Sequence, residues 1–207
     1  DGAFLHLETP ETPMHVGSLS LFELPPGYKG NFFADVKRQI RKRLGLVPVF
    51  TRKLAPMPLQ FANPAWVTQA RVDLGYHVQH CTLPAPGTQA QLEACVGALH
   101  SELLDRSQPL WQLTIIDGLE SGLVGYYVKV HHAVLDGQAG VMLAQALFDV
   151  TPEPRTIAPG VPLHGEHPGR AELAAAALRH DAGQYIKLVR HLPDVVKALA
   201  GMFGARA

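Results

Sequence analysis

A chain of 207 residues has room for one large domain or one and a half small ones, and can bury a sizeable core. Apolar residues make up 47% and charged residues 17%, which excludes a disordered chain, and Lys+Arg balances Asp+Glu at 18 each, so no bulk charge calls for nucleic acid. The two cysteines, Cys81 and Cys95, form no metal-type spacing and no disulfide framework, and no apolar run is long enough to span a bilayer; a reduced, cytoplasmic compartment is the expectation.

In chain order, His15–Leu24 reads as a strand that ends at the Pro25-Pro26-Gly27 break. Asn31 caps a helix and Gly45 ends it, with Phe33, Val36, Ile40 and Leu44 on one stripe. Residues 48–86 are rich in proline and short apolar runs and read as strands and loops. Thr88 and Gln91 have capping-box spacing and open a helix marked by Leu92, Val96, Leu99 and Leu103. Trp111–Asp117 and Leu123–Val130 read as an antiparallel pair joined by Gly118–Gly122. A polar loop, His131–Gly137, follows. Gln138–Phe148 then reads as a helix, with Val141, Ala144, Gln145 and Phe148 spaced on one side.

Residues 1–150 are therefore expected to fold as one unit. Residues 151–170, with five prolines, read as a linker, and 171–207 as a helical segment whose stripe Tyr185, Val189, Leu192, Val196, Leu199 and Phe203 is kinked at Pro193. Strands mix with helices, so the class is α/β or α+β.

The segment His131-His132-Ala-Val-Leu-Asp136-Gly137 carries the chemistry. Neighbouring strand residues face opposite ways, so His132 shares a face with Tyr126, Val128 and Val130, and His131 shares the other with Tyr127 and Lys129. The two rings are thus poor candidates for ligating one metal. On an apolar wall before a helix N-terminus, His132 is expected to stay neutral and to take a proton near neutral pH. Asp136-Gly137 makes the tight exit, and the Asp136 carboxylate can orient a nearby group or pair with an arginine. The remaining histidines, His6, His77, His80, His100, His164, His167, His180 and His191, read as core or surface residues, and Met14 and His15 as early-strand packing.

That segment resembles the HHxxxDG motif of coenzyme-A-dependent acyltransferases with the chloramphenicol acetyltransferase-like fold, which include condensation domains. Asp1-Gly-Ala-Phe4-Leu5 followed by Glu8–Gly17 (ETPETPMHVG) resembles the opening of the bacterial wax ester synthases/diacylglycerol acyltransferases. Pro109-Leu110-Trp111 resembles that family's PLW motif. The three segments stand in the family's order and cover residues 1–149.

The resemblance implies the N-terminal lobe of a two-lobed fold, an open mixed sheet with flanking helices, and a C-terminal lobe elsewhere in the same gene product. It implies that His132 is the general base, that His131 supports it, and that Asp136 is structural. The substrates it implies are acyl-CoA and a long-chain alcohol or diacylglycerol, giving wax ester or triacylglycerol. It implies no bound cofactor, no metal and no covalent acyl-enzyme, and no G-x-S-x-G elbow supplies a serine nucleophile.

Other signals receive plainer readings. Lys37, Arg38, Arg41, Lys42 and Arg43 crowd one helix, with Lys29, Arg52 and Lys53 nearby. They are expected to form a solvated face, anionic lipid or a coenzyme A phosphate being the alternative. Trp111 either lines a tunnel or packs in the core, the core being favoured. The C-terminal stripe either packs on the other lobe or contacts a membrane or lipid inclusion peripherally. The competing functional readings are a condensation-type or polyketide-associated domain that uses a carrier-bound thioester, and a non-catalytic lipid-surface protein of the same fold.

Overall fold

The computed structural model describes residues 2–55, 64–135 and 137–149, with isolated positions beyond them. The chain divides into two units, Asp1–Leu54 with Trp66–Glu166, and Ala55–Ala65 with His167–Ala207. Nearly all of the second lies outside the described residues, as do most of the expected linker at 151–170, nearly all of the helical segment at 171–207 and the Tyr185–Phe203 stripe.

The first unit is built on a four-stranded mixed sheet in the order β1 (His15–Phe22), β6 (Val124–His131), β5 (Trp111–Asp117), β4 (Val78–Thr82). Strands β5 (Trp111–Asp117) and β6 (Val124–His131) form the expected antiparallel pair. Their loop turns on Gly118 and Gly122, both at positive φ, where a side chain would be strained. Strand β1 (His15–Phe22) pairs antiparallel with the other edge of β6, from His15 opposite His131 to Phe22 opposite Val124. Strand β4 (Val78–Thr82) runs parallel to β5. Every residue of β6 is buried, which its near-continuous apolar run requires of a central strand covered on both faces.

Helices cover both faces. Helix α1 (Gly2–Leu7) precedes β1. Helix α2 (Phe32–Arg43) starts where Asn31 accepts from the Ala34 N–H at 2.9 Å, and it buries Val36 and Ile40. The segment 48–86 resolves into a 3-10 turn (Pro48–Phe50), a small ladder of β2 (Arg52–Leu54) with β3 (Trp66–Thr68), the short α3 (Leu74–His77) and β4. Helix α4 (Gln89–Ser101) opens with the expected reciprocal capping box between Thr88 and Gln91. Its fully buried Leu92 packs with Ile116 and Tyr127 on one face of the sheet. On the other face Val36, Ile40, Phe50 and Trp111 pack with Tyr126, Val128 and Val130, and with Leu143 and Ala146 of α5 (Gly137–Leu147). Burying one such side chain contributes about 1.5–3 kcal/mol.

Three expectations are corrected. Strand β1 ends at Phe22 rather than Leu24. Helix α5 runs Gly137–Leu147 and buries Leu143 and Ala146, whereas Val141, Ala144 and Gln145 are exposed, and Phe148, beyond the helix end, sets its ring 5.3 Å from that of Tyr126. Periodicity in an alanine-rich helix offers more than one stripe, and only the docking onto the sheet chooses between them. Finally, Arg43 does not belong to a solvated basic face. It is 3% exposed, donates to the Ala146 and Leu147 carbonyls at 3.1 and 2.9 Å, and pairs with Asp149. It thereby satisfies the open carbonyls at the end of α5.

Candidate active site

The site forms where β6 ends. The ladder stops at His131, whose N–H donates to the Leu110 carbonyl at 3.0 Å. The next N–H, that of His132, donates to the Met14 carbonyl just before β1, at 2.8 Å. The chain then turns through a 3-10 turn, His132–Val134, closed by the Leu135 N–H on the His132 carbonyl. Gly137 is the first residue of α5 rather than part of a loop. Asp136 lies outside the described residues.

The two histidines part company here. His131 continues the face of Tyr127 and Lys129, as strand parity requires, and is fully buried. Its Nδ1 accepts from the Ala133 N–H at 3.0 Å, so the neutral ring carries its proton on Nε2. That Nε2 lies 3.3 Å from Glu8 Oε1. His132 does not reach the expected apolar wall of Tyr126, Val128 and Val130. The strand has already ended, and its exposed ring stacks on Phe4 of α1, centroids 4.0 Å apart and planes at 28°. Among the described residues neither of its ring nitrogens has a hydrogen-bond partner.

Glu8 is the hub that the sequence did not reveal. Its side chain is 1% exposed. Oε1 accepts from the Met14 N–H at 3.2 Å and lies 3.1 Å from His15 Nε2, while Oε2 accepts from Arg106 Nη2 at 3.0 Å. Burial pushes this carboxyl up, but the Arg106 and Met14 hydrogen bonds and the nearby His131 and His15 outweigh it and hold Glu8 below the usual carboxylate range. Burial holds His131 below the ordinary histidine value, opposed by Glu8. His15 is also held low by burial, against the pull of the His100 carbonyl, 3.3 Å from its Nδ1. Both nitrogens of His15 thus face acceptors. Behind them His100 Nδ1 contacts the Tyr127 hydroxyl at 2.7 Å, and Lys129 Nζ donates to the Leu99 and Glu102 carbonyls at the end of α4.

The Pro109–Trp111 segment supports this corner from below. Leu110 is fully buried with Leu5, Leu54, Leu104 and Ala133. Trp111 packs in the core, stacked on His77 at 4.4 Å and edge-on to Phe50 at 5.0 Å, with its indole N–H on the Phe50 carbonyl. Its favoured placement in the core is therefore what the structure has.

In the sequence Phe4 and Glu8 lie within the segments that carry the resemblance, which gives them no role, and His15 reads as packing. Arg106 carried no signal at all, because an arginine in a polar loop looks solvated until its partner is known.

An apolar groove of about 190 Å³ lies between α5 and the β1–β6 face, lined by Val16, Val128, Val130, Leu135, Leu143 and Leu147 among others. Leu135 brings this groove to the end of the His132 turn. No helix among the described residues is long and apolar enough to cross a membrane.

The family model described as wax ester synthase/diacylglycerol acyltransferase catalytic domain matches residues 1–206. A putative diacylglycerol O-acyltransferase of Mycobacterium tuberculosis (strain CDC 1551 / Oshkosh) is 38% identical over 152 residues, covering 73% of this chain and 34% of that protein. One of Mycobacterium bovis (strain ATCC BAA-935 / AF2122/97) is 33% identical over 202 residues, 98% of this chain and 39% of that one. Among solved structures, the wax ester synthase/diacylglycerol acyltransferase from Marinobacter aquaeolei VT8 superposes with a TM-score of 0.62 at 33% identity, over 76% of this chain and 38% of that one. The starter condensation domain of rhizomide synthetase matches at a TM-score of 0.52 and 14% identity, over 71% and 36%, which is a likeness of fold. The chain spans little more than a third of the length of these curated relatives.

Proposed function

Since this chain belongs to the wax ester synthase/diacylglycerol acyltransferase family, we propose that it is the base-bearing lobe of an O-acyltransferase that moves a long-chain acyl group from acyl-CoA to a long-chain alcohol or diacylglycerol. His132 is the general base. The hydroxyl proton passes to its ring as the oxygen attacks the thioester carbonyl carbon. The tetrahedral intermediate then collapses, the C–S bond breaks, and the imidazolium returns the proton to the departing thiolate. His131 supports the turn from within, and Asp136 holds it as a structural carboxylate. No metal or bound cofactor takes part.

The observation that carries this reading is the placement of His132. It is an exposed imidazole on a backbone fixed by β1 and β6, stacked on Phe4 beside an apolar groove, and among the described residues its ring nitrogens take no hydrogen bond. A general base needs that combination of a fixed position and free nitrogens.

The second lobe supplies the opposite wall. Transfer of a long acyl chain has to exclude water if it is to outrun hydrolysis, and one open lobe leaves that wall missing. Peripheral contact with a membrane or lipid inclusion brings the enzyme to its apolar acceptor.

The test supplies the complete gene product with palmitoyl-CoA and either hexadecanol or diacylglycerol, and identifies the ester by mass spectrometry. Ester formation that falls at least about 10²-fold in His132→Ala supports the reading. Turnover of carrier-bound acyl groups onto an amine, with none from acyl-CoA, would replace it with the condensation-type alternative.

A further inference from the structure

Helix α1 has six residues, too few to be stable alone, yet it is held from outside by Arg106, Met14 and the packing of Leu5. Arg106 Nη2 donates to the Leu5 carbonyl at 2.7 Å and to Glu8 Oε2 at 3.0 Å. The Glu8 N–H donates to the Phe4 carbonyl at 3.2 Å. Glu8 Oε1 takes the Met14 N–H, and Leu5 is buried among Leu54, Leu104, Leu110 and Ala133. One buried carboxylate therefore ties α1 to the loop before β5, to the residue that leads into β1 and to the last residue of β6. What α1 presents to the His132 turn is the ring of Phe4, stacked on the imidazole.

We propose that Phe4 and Glu8 are positioning residues for the His132 base. Phe4 fixes the plane of the imidazole, and Glu8 fixes Phe4 by anchoring α1 against His131, His15 and Arg106. This rests on the assignment of His132 as base. A ring stacked on one face keeps both nitrogens on a free edge, aimed along a set direction. Without the stack, an exposed histidine on a short turn samples several rotamers, few of them aligned for proton transfer. The network is compact because His131, directly before the base, shares the Glu8 carboxylate. A movement of α1 therefore reaches the base by two routes, through the Phe4 ring and through the backbone of β6.

The experiment compares Phe4→Leu, which keeps bulk but loses the ring face, with Phe4→Tyr, which keeps the face. Both are made in the complete gene product with and without His132→Ala. Phe4→Leu is expected to lower kcat by about 10- to 10²-fold with KM for the acceptor unchanged. Phe4→Tyr restores kcat to within a few fold. In the His132→Ala background Phe4→Leu changes nothing further. A ¹H–¹³C spectrum of labelled histidine reports the stack directly: the His132 ring signals are displaced by the Phe4 ring current, and Phe4→Leu and Glu8→Gln abolish that displacement. If Glu8→Gln does not fold, the Phe4 series decides. An unchanged His132 signal in Phe4→Leu, or an equal loss of rate in both backgrounds, overturns the proposal. A fully active His132→Ala overturns the base assignment instead.

Discussion

His131 and His132 are joined by one peptide bond and sit in opposite surroundings. The first is fully buried with its Nε2 3.3 Å from Glu8 Oε1, and the second is exposed and stacked on Phe4. The division follows from the end of the strand: His131 is the last residue held by the ladder and His132 the first released from it.

Substitution should separate the two by what is lost. His132→Ala is expected to cost about 10²–10⁴-fold in turnover with little change in melting temperature. His131→Ala should cost less in turnover and more in stability, because it leaves the buried Ala133 N–H without its acceptor, worth roughly 1–3 kcal/mol. Paired kinetics and thermal melts check this. Near-wild-type turnover in a folded His132→Ala protein contradicts it.

Stability should fall as the medium becomes acidic, in two stages. His131 and His77 are held below the ordinary histidine value by burial, so below about pH 6.5 the unfolded chain takes up protons that the fold refuses. The stability tied to the neutral rings is intact above that value and declines as pH drops through the folded values. Glu8 is held below its ordinary carboxyl value, so its contribution is intact above about pH 4.5 and is lost below it. Both stages have the same sign. Melting temperature measured between pH 8 and pH 4 should decline monotonically, and His77→Phe, which keeps the stack on Trp111, should flatten the first stage. A melting temperature that rises on acidification would contradict this.

Arg43 and Arg41 are two residues apart on α2 and should behave differently. Arg43→Ala removes the donor to two α5 carbonyls and leaves Asp149 without its buried partner, a loss of roughly 3 kcal/mol. Arg41→Ala, on the exposed side, should stay within about 0.5 kcal/mol. Urea unfolding of the two variants measures the difference, and equal effects would contradict the capping role.

Residues 1–207 expressed alone should give little acyl transfer, and co-expression with the second lobe proposed above should restore it. The exposed Val141 and Met142 of α5, with the apolar groove beside them, are surfaces such a lobe would cover. Comparable ester formation by the isolated chain would contradict the two-lobe reading.

Local signals determined much of this protein in advance. The Asn31 cap, the Thr88–Gln91 capping box, the β5–β6 pair and the split of His131 from Tyr126, Val128 and Val130 all depend on residues close together in the chain, where periodicity and cap chemistry act. The motif also marked which loop to watch. What it lacked was everything decided by pairing across distance. Only the tertiary structure placed β1 beside β6, brought Glu8 to His131 and Arg106, set Phe4 on His132 and turned Arg43 from a surface charge into the cap of α5. A charged side chain has the same local signature whether it ends in water or against a buried partner. Its fate depends on which distant polar group the packing leaves unsatisfied, and no stretch of sequence records that alone.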